Sequence, residues 1–469
     1  MTHPTRSSRS PSLATFLSFL WPGLGHWYLA RPRAALVYAL PVLVVAAIVV
    51  IRIATTGLER FALELFDPSF ASTALILGIL LGLWRLVAMG DVFAATPARG
   101  ARRRPATAVL GVLALVVVIG HGALGYMTWS FYEAGSRIFV NDDGDELPFP
   151  SEPATSDELV TADPAESPGD TVPAATPGPA SSRVTILLTG IDSSPTRRHA
   201  LNDTIMVVSV DPDTKTVAMV SIPRDIGRFK LPDGRRFDGK INSLASYVRR
   251  NPGEFKNGPT RTLMDAVGYL IGVRIDYYAA VDLAGFVRMI DLVGGVTVVN
   301  DRAINDPVYG GWTDGRRIGF RLSVGRHTLD GQEALAYARS RMGAGDSDFS
   351  RARRQQKLLI ALARKMADPA MLPKLPAILS EAGNSMRTSF PADRLSEMLD
   401  LARSIDEKAI RRVVLGPSYS TRATNTSEYM LVPDMKKIAR ISVSLFGDDS
   451  RWAEKPPAGA TSPPGSPAP

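Results

Sequence analysis

Three apolar runs, at residues 34–54, 72–90 and 107–129, constrain this chain more than any other feature. Each has about the 20-residue length that crosses a hydrocarbon layer as a helix. In lipid every backbone N–H and C=O must find a partner inside the segment, so helices are expected at all three. An earlier apolar stretch, 13–30, is broken by Trp21, Pro22, Gly23 and Gly25 and by paired aromatics. Such a break suits a re-entrant or interfacial segment better than a full crossing.

Arginines set the expected orientation. Arg6, Arg9, Arg31 and Arg33 precede the first run, and Arg99, Arg102, Arg103 and Arg104 precede the third. Loops rich in Lys and Arg stay in the cytoplasm. The loop at 55–71 carries Glu59, Glu64 and Asp67 against Arg60, as an outer loop would. Everything after residue 130 is then expected outside the membrane, in a multi-pass protein of the cell membrane with its folded domain extracytoplasmic. A cleaved signal peptide is disfavoured, since several spans follow and no short apolar region ends at a small-residue cleavage site.

The 469 residues include no cysteine, which excludes disulfides, thiolate nucleophiles and Cys-bound metals. Five histidines are present, and none has a partner at metal-ligand spacing, so His26, His121, His199 and His327 read as surface or structural residues.

Composition then divides the rest. Residues 1–33 form a cytoplasmic N-terminus holding the re-entrant or interfacial segment, and 34–130 the membrane region. Residues 131–182 are expected to be a disordered tether. From 141 to 182 there are ten acidic residues and no Lys or Arg, amid Pro, Ser, Thr and Ala, a composition that cannot bury enough surface to fold. Residues 183–450 are the folded domain and 451–469 a disordered Pro- and Ala-rich tail. Inside the domain, strand patterns at 184–189, 204–210, 216–222, 277–282, 296–299 and 412–415 alternate with helical patterns at 263–271, 283–292, 393–404 and 433–445. This order predicts an α/β fold: a three-layer α/β/α domain with a mixed central sheet, behind a multi-span α-helical membrane region.

That domain holds 40 Lys and Arg against 30 Asp and Glu, so it should attract anions. Nucleic acid is excluded as a partner by the expected outward placement and by the lack of stacking aromatics among the arginines. The basic residues concentrate in residues 330–356, DGQEALAYARSRMGAGDSDFSRARRQQ. Asp330 and Glu333 have the spacing of a capping box, which starts one helix and delivers Arg339 and Arg341 at its far end. A second helix is expected from about Ser347. It sets Arg351, Arg354 and Gln355 on one face and turns Leu358, Leu359, Leu362 and Met366 toward a core. Guanidinium forks facing each other across a glycine-rich joint suit phosphate or pyrophosphate, which they pair bidentately. The plainer alternative is a solvated basic face.

Two carboxylates, Asp192 in TGID and Asp203 in NDT, belong at strand ends, where open α/β sheets place ligands. Without histidine or cysteine beside them they make a hard, oxygen-only site of the kind Mg²⁺ or Mn²⁺ occupies; alternatively each caps a turn. SIPRD, ending in Arg224 and Asp225, follows a strand and either aims an arginine at a phosphate or closes a local ion pair. Lys240 in GKIN adds a further cation. No P-loop, GxSxG elbow or zinc-protease signature is present.

TGID, NDT, SIPRD, GKIN, the LVGGV turn, TLDGQEALAYARSR and DFSRARRQQ, in this order, make residues 183–415 resemble the LytR-CpsA-Psr family of membrane-anchored cell-wall enzymes. The resemblance implies a Mg²⁺-dependent phosphotransferase. It would move a glycopolymer from a polyprenyl pyrophosphate carrier to peptidoglycan. Asp192 and Asp203 would hold the metal. Arg224, Arg339, Arg341, Arg351 and Gln355 would surround the pyrophosphate, with Lys240 and Arg354 as added cations from the residue pattern. Arg224, Asp225, Arg341 and Arg351 are the residues expected to act in catalysis, and Asp203 or Asp225 to take the acceptor proton. Leu201 stands where many members carry an arginine, so Arg197 or Arg198 would have to replace that contact. Several spans also depart from the usual single anchor. Two other activities compete: capture of carrier lipid without turnover, and simple lipid pyrophosphatase activity.

Overall fold

The computed structural model describes residues 10–96, 103–140, 182–192, 201–310, 318–343, 346–366, 368–424 and 428–453. They divide into two compact units, one of residues 1–137 with 391–396 and one of residues 138–390 with 397–469.

The first unit is helical. Helix α1, Pro11–Leu20, starts on Ser10, whose Oγ accepts from the Leu13 N–H, with Pro11 at the first turn, where its missing N–H costs nothing. After a break at Trp21–Gly23 comes the short α2, Leu24–Tyr28. Gly23 sits at φ 101°, and a Cβ there would lie 2.4 Å from the Ala35 carbonyl oxygen, so only glycine allows this corner. The break expected from the sequence is therefore a helical hairpin. Then follow α3, Pro32–Thr56; α4, Leu58–Glu64; α5, Pro68–Ala94; and α6, Arg103–Ile138. Among the described residues α3, α5 and α6 are long and apolar enough to cross a membrane, at the positions read from the sequence.

His26 is a structural residue of the first unit. It is fully buried, with its Nε2 2.9 Å from Asp91 Oδ2 on α5 and its ring stacked on Tyr38 at 4.4 Å. No spacing rule reveals a pair 65 residues apart.

In the second unit the strands are β1 Val184–Asp192, β2 Leu201–Asp211, β3 Thr216–Ser221, β4 Gly227–Lys230, β5 Arg236–Lys240, β6 Tyr277–Asp282, β7 Val296–Asn300, β8 Ile304–Asp306, β9 Phe320–Leu322, β10 Gly325–Leu329, β11 Met386–Thr388, β12 Ile410–Val414, β13 Ser420–Arg422 and β14 Leu431–Pro433. Its helices are α7 Leu244–Arg250, α8 Pro259–Ile271, α9 Leu283–Val293, α10 Gly331–Arg339, α11 Asp348–Met366, α12 Leu375–Ser385, α13 Leu395–Ser404 and α14 Met435–Phe446. Among the described residues the main sheet has six strands in the order β11-β6-β1-β2-β3-β12. It is mixed: β1 runs parallel to β6 and antiparallel to β2, and β3 runs parallel to β12.

Alternation along the strands feeds two cores. Leu187, Val207, Ala218 and Val220 pack with Leu263, Val267 and Leu270 of α8 and with Ile438 and Leu445 of α14. Met206, Val210, Val217 and Met219 meet Leu359 and Ile360 of α11 and Met398 and Leu401 of α13 from the other side. The result is the three-layer α/β/α arrangement. Met366, expected in the core, is 38% exposed, because it lies in the last turn of α11.

A further difference concerns the tether. α6 continues to Ile138, past the expected boundary at 131. Phe139 then forms a parallel bridge with Thr388, and the Val140 N–H donates to the Thr388 carbonyl at 3.0 Å. The rest of the expected tether, residues 141–181, and the expected tail at 454–469 lie outside the described residues.

Candidate functional site

The stretch at 330–356 folds as its spacing predicts at both helix starts. Asp330 Oδ1 accepts from the Glu333 N–H at 2.8 Å and Glu333 Oε2 from the Asp330 N–H at 3.2 Å, the reciprocal pair of a capping box. At the entry to α11 the Ser347 and Ser350 side chains exchange bonds with each other's backbone N–H, at 2.8 and 3.3 Å.

Between the two helices the chain is held by Asp306, at the end of β8. This residue is 1% exposed. Its Oδ2 accepts from Ser340 Oγ at 2.8 Å, the Arg341 N–H at 3.1 Å and the Met342 N–H at 3.0 Å, while Oδ1 accepts from the Val308 N–H at 3.2 Å. Burial pushes its carboxyl pKa up, but the bonds from Met342, Ser340, Arg341 and Val308 outweigh it and hold the pKa below the usual value. Asp306 thus fixes the backbone that presents Arg341.

Arg351 and Arg341 converge on one carboxylate. Asp348 Oδ1 lies 3.1 Å from Arg351 Nη1 and 3.5 Å from Arg341 Nη1, without accepting a well-aligned hydrogen bond from either. Arg351 is buried, whereas 40% of the Arg341 side chain is exposed. A pocket of about 230 Å³ opens here, lined by Arg341, Met342, Ser347, Asp348, Phe349 and Tyr429.

Arg354 departs from its expected role as an anion ligand. Its Nε donates to the Tyr337 carbonyl at 2.8 Å, its Nη2 to the Ser340 carbonyl, and its Nη1 pairs with Asp346 at 2.7 Å. With every side of the fork engaged, it stitches the end of α10 to the start of α11. Tyr337 beneath it has its phenol pKa pushed up to about 12, chiefly by burial. Gln355 Nε2 donates to the Ala338 carbonyl at 3.2 Å. Gln356 is buried and fastens α11 to the sheet through Ser221 Oγ at 2.9 Å and the Val413 carbonyl at 3.2 Å. Arg339, at the last turn of α10, is half-buried, and its charge acts on Tyr309.

A second cluster forms after β3. Arg224 Nε is 3.8 Å from Asp225 Oδ2, and Lys240 Nζ bridges Asp225 Oδ1 at 3.3 Å and Glu428 Oε2 at 3.1 Å. Backbone pairing of Ile226 with Leu431, and the Leu431 N–H bond to the Asp225 carbonyl at 2.8 Å, carry Glu428 and Tyr429 to this place. Tyr429 joins the clusters. Its phenol pKa is raised by burial first and then by the charges of Asp225 and Asp348, and Arg422 lies 5.5 Å from its ring.

Asp192 and Asp203 both lie toward one end of the β1–β2 ladder. Asp192 pairs with Leu201, and a register shift between Gly190 and Ile191 leaves Asp203 as the unpaired residue between Asn202 and Thr204. A bulge of this kind is a common device for re-aiming a strand residue beside a site. The side chains of Asp192, Leu201 and Asp203, and Arg197 and Arg198 entirely, lie outside the described residues.

Three of the site's residues had not been singled out. Asp348 carried a signal, being three residues before Arg351 on one helix. Asp306 and Tyr429 had none, since each acts on partners distant in sequence.

A model of the LytR_cpsA_psr family matches residues 155–446. The chain belongs to this family. One relative, the polyisoprenyl-teichoic acid–peptidoglycan teichoic acid transferase TagU of Halalkalibacterium halodurans, is 30% identical over 261 residues, 55% of this chain and 77% of that protein. Another, the cell wall biosynthesis protein LcpA of Corynebacterium glutamicum, is 31% identical over 240 residues, 48% of this chain and 44% of LcpA. The crystal structure of Bacillus subtilis TagV is 27% identical, with a TM-score of 0.45, covering 57% of this chain and 96% of that one.

Proposed function

We propose that the second unit of this LytR-CpsA-Psr protein transfers a glycopolymer from a polyprenyl pyrophosphate carrier to peptidoglycan, at the outer face of the cytoplasmic membrane. The observation that carries the proposal is the convergence of Arg341 and Arg351 on Asp348, beside a pocket lined by Arg341 and Asp348, in a family with relatives named as teichoic acid transferases. The arginine pattern around the apolar helices supports the outer placement.

The pyrophosphate would rest against Arg341 and Arg351, with Arg224 and Lys240 as further cations and Arg339 and Gln355 behind them. Asp348 keeps the two forks together when no phosphate is bound. Arg341, the more exposed of the two, exchanges this carboxylate for phosphate oxygens at little cost, since an exposed ion pair is worth about 1 kcal/mol or less. An acceptor hydroxyl oxygen attacks the phosphorus next to the glycan, and the bond from that phosphorus to the bridging oxygen breaks. Polyprenyl phosphate leaves, its new negative charge held by the guanidinium groups. The hydroxyl proton passes to a site carboxylate, Asp203 or Asp225. Asp225 also fixes Arg224 and Lys240 through its two oxygens.

A divalent cation, Mg²⁺ or Mn²⁺, belongs to the same proposal. Two aspartates placed toward one end of the β1–β2 ladder, one of them at a bulge, would supply hard oxygen donors of the kind such an ion takes. Asp192 and Asp203 would hold it, and it would supply charge neutralisation at the phosphate oxygens.

The test is Arg341→Ala in the full-length protein, measured as metal-dependent release of polyprenyl phosphate together with attachment of glycan to peptidoglycan. Loss of both with an unchanged melting temperature is expected, and full transfer refutes the assignment. In the wild type, release without an acceptor identifies a pyrophosphatase, and binding without release identifies a capture protein.

A further inference from the structure

Residues 228–256 carry eight Lys and Arg against Asp233, Asp238 and Glu254, a net charge of +5 where the whole chain has +8. They form the β4–β5 hairpin, α7 and a single turn at Pro252–Glu254. The hairpin closes at Leu231–Arg235, where the Leu231 N–H donates to the Arg235 carbonyl at 2.8 Å and Gly234 takes φ 88°. Its open end, where Gly227 pairs with Lys240, belongs to the Asp225 cluster. Its closed end, where Lys230 pairs with Arg236, lies four residues along β5, about 14 Å away at about 3.4 Å per residue.

Aromatic rings fix the closed end against α7. Phe237 lies 5.5 Å from Tyr247 and Tyr247 5.9 Å from Phe255, while the Arg235 guanidinium sits 4.9 Å over the Phe255 ring. The Tyr247 phenol pKa is raised by burial first and then by Glu254; the charges of Arg235 and Arg250 both act against that rise, so both guanidinium groups lie near this ring. Lys230, Arg235, Arg236, Arg250 and Lys256 are exposed. Arg235 and Arg236 hold Asp233 and Asp238 at 2.8 and 2.7 Å, in exposed pairs that exchange readily for another anion. Among the described residues no carboxylate pairs with Lys230, Arg250 or Lys256.

Arg228 stands between the two ends. The register shift between Gly227 and Phe229 sets it against two residues, Asp238 and Gly239, and its φ is 52°. A left-handed arginine at a bulge is costly, and such strain persists where a fold re-aims a side chain beside a site. No large apolar side chain is exposed between 228 and 256, so this face lacks the apolar anchors of a surface that lies on lipid.

We propose that the β4–β5 hairpin and the end of α7 bind a linear polyanion, the phosphate-bearing polymer whose lipid-linked end occupies the arginine site. Cations spaced from Lys240 to the hairpin tip match a chain that repeats its charge. The identity of that polymer rests on the transfer reading above; the affinity of the surface for a polyanion does not.

Binding of labelled poly(glycerol phosphate) to the full-length protein in neutral detergent is measured against salt, with dextran and inorganic phosphate as competitors. The wild type should bind with a steep salt dependence, and neither competitor should displace the chain at equal concentration of repeat units. Lys230→Gln/Arg250→Gln/Lys256→Gln, which breaks no ion pair, should keep its Tm, bind about 10-fold more weakly and lose about 2 from the salt slope, at about 0.7 per contact. Lys230→Arg/Arg250→Lys/Lys256→Arg should bind as the wild type does, and so should Arg341→Ala. Wild-type affinity in the glutamine variant, displacement by dextran or inorganic phosphate, or loss of binding in Arg341→Ala overturns the proposal. Where the glutamine variant fails to fold, acetylation of wild-type Lys230 and Lys256 decides: protection by the bound chain supports the surface and equal labelling overturns it. A protein that shows this binding pattern yet transfers nothing keeps the surface and refutes the transfer reading alone.

Discussion

Asp306→Asn tests whether one buried carboxylate holds the segment that presents Arg341. The amide offers one acceptor oxygen. Placed at the Oδ2 position it keeps Ser340, Arg341 and Met342, but its NH₂ then faces the Val308 N–H, so one bond is lost outright. The other three fall from charge-assisted to neutral bonds, a difference of about 1 kcal/mol each, so the gross loss is about 4 kcal/mol. Relief of the carboxylate's burial offsets part of this, and we expect a net loss of about 2 kcal/mol. For a domain of this size that lowers Tm by about 5 °C. The pH dependence has a definite sign. The folded-state pKa of Asp306 is depressed, so its stabilisation is present above the ordinary carboxylate value of 3.8 and disappears as pH falls through the folded value. The variant should therefore lack that part of the acid limb. Thermal unfolding of the full-length protein by tryptophan fluorescence, from pH 7 down to about 2, reads both effects. An unchanged Tm with an unchanged acid limb would show that Asp306 does not hold this loop.

Arg351→Ala should cost about 3 kcal/mol of stability, because it removes a buried partner of Asp348, so Arg351→Lys is the informative activity variant, expected to fold and to transfer at least 10-fold more slowly, on the order expected for a lost bidentate fork. Arg354→Ala should destabilise by a similar amount, roughly 3–5 kcal/mol, through the loss of two ties from α11 to the end of α10 and one to Asp346; denaturant midpoints check it. Tyr429→Phe should slow transfer without moving Tm, and the pH–rate profile below the ordinary phenol value of 10 should keep its shape, since the raised pKa keeps the hydroxyl protonated throughout that range. Chelation of divalent ions should abolish transfer, with recovery on adding Mg²⁺; full activity in the chelated protein, or in Asp192→Asn, removes the metal from the proposal.

Local rules were enough for much of this molecule. The capping box of α10 depends on Asp330 and Glu333 alone, and the apolar runs become α3, α5 and α6 because length and hydropathy are properties of the segment. The break at Trp21–Gly23 was legible for the same reason. Strands β1 to β3 followed from alternation. The small strands β4, β5, β8 and β9 did not, being three to five residues long and fixed by partners rather than by pattern. Arg354 shows the limit most clearly. Its spacing with Arg351 placed both on one helix face, yet one fork points at Asp348 beside the pocket and the other is consumed by carbonyls of the preceding helix.

The sequence by itself determined that α8 to α11, α13 and α14 are helical, where the membrane-length helices lie, and that the candidate site is one of arginine and carboxylate, since these follow from periodicity, length and residue type; it did not show α4, α7 or α12. Only the tertiary structure decided which arginines remain available to an anion, that Asp306 and Tyr429 belong to the site, that His26 is buried on Asp91, and that residues 139–140 join the sheet before the acidic segment begins. Those outcomes depend on which backbone groups come within about 3 Å of a side chain after long-range closure, and no local pattern encodes that distance.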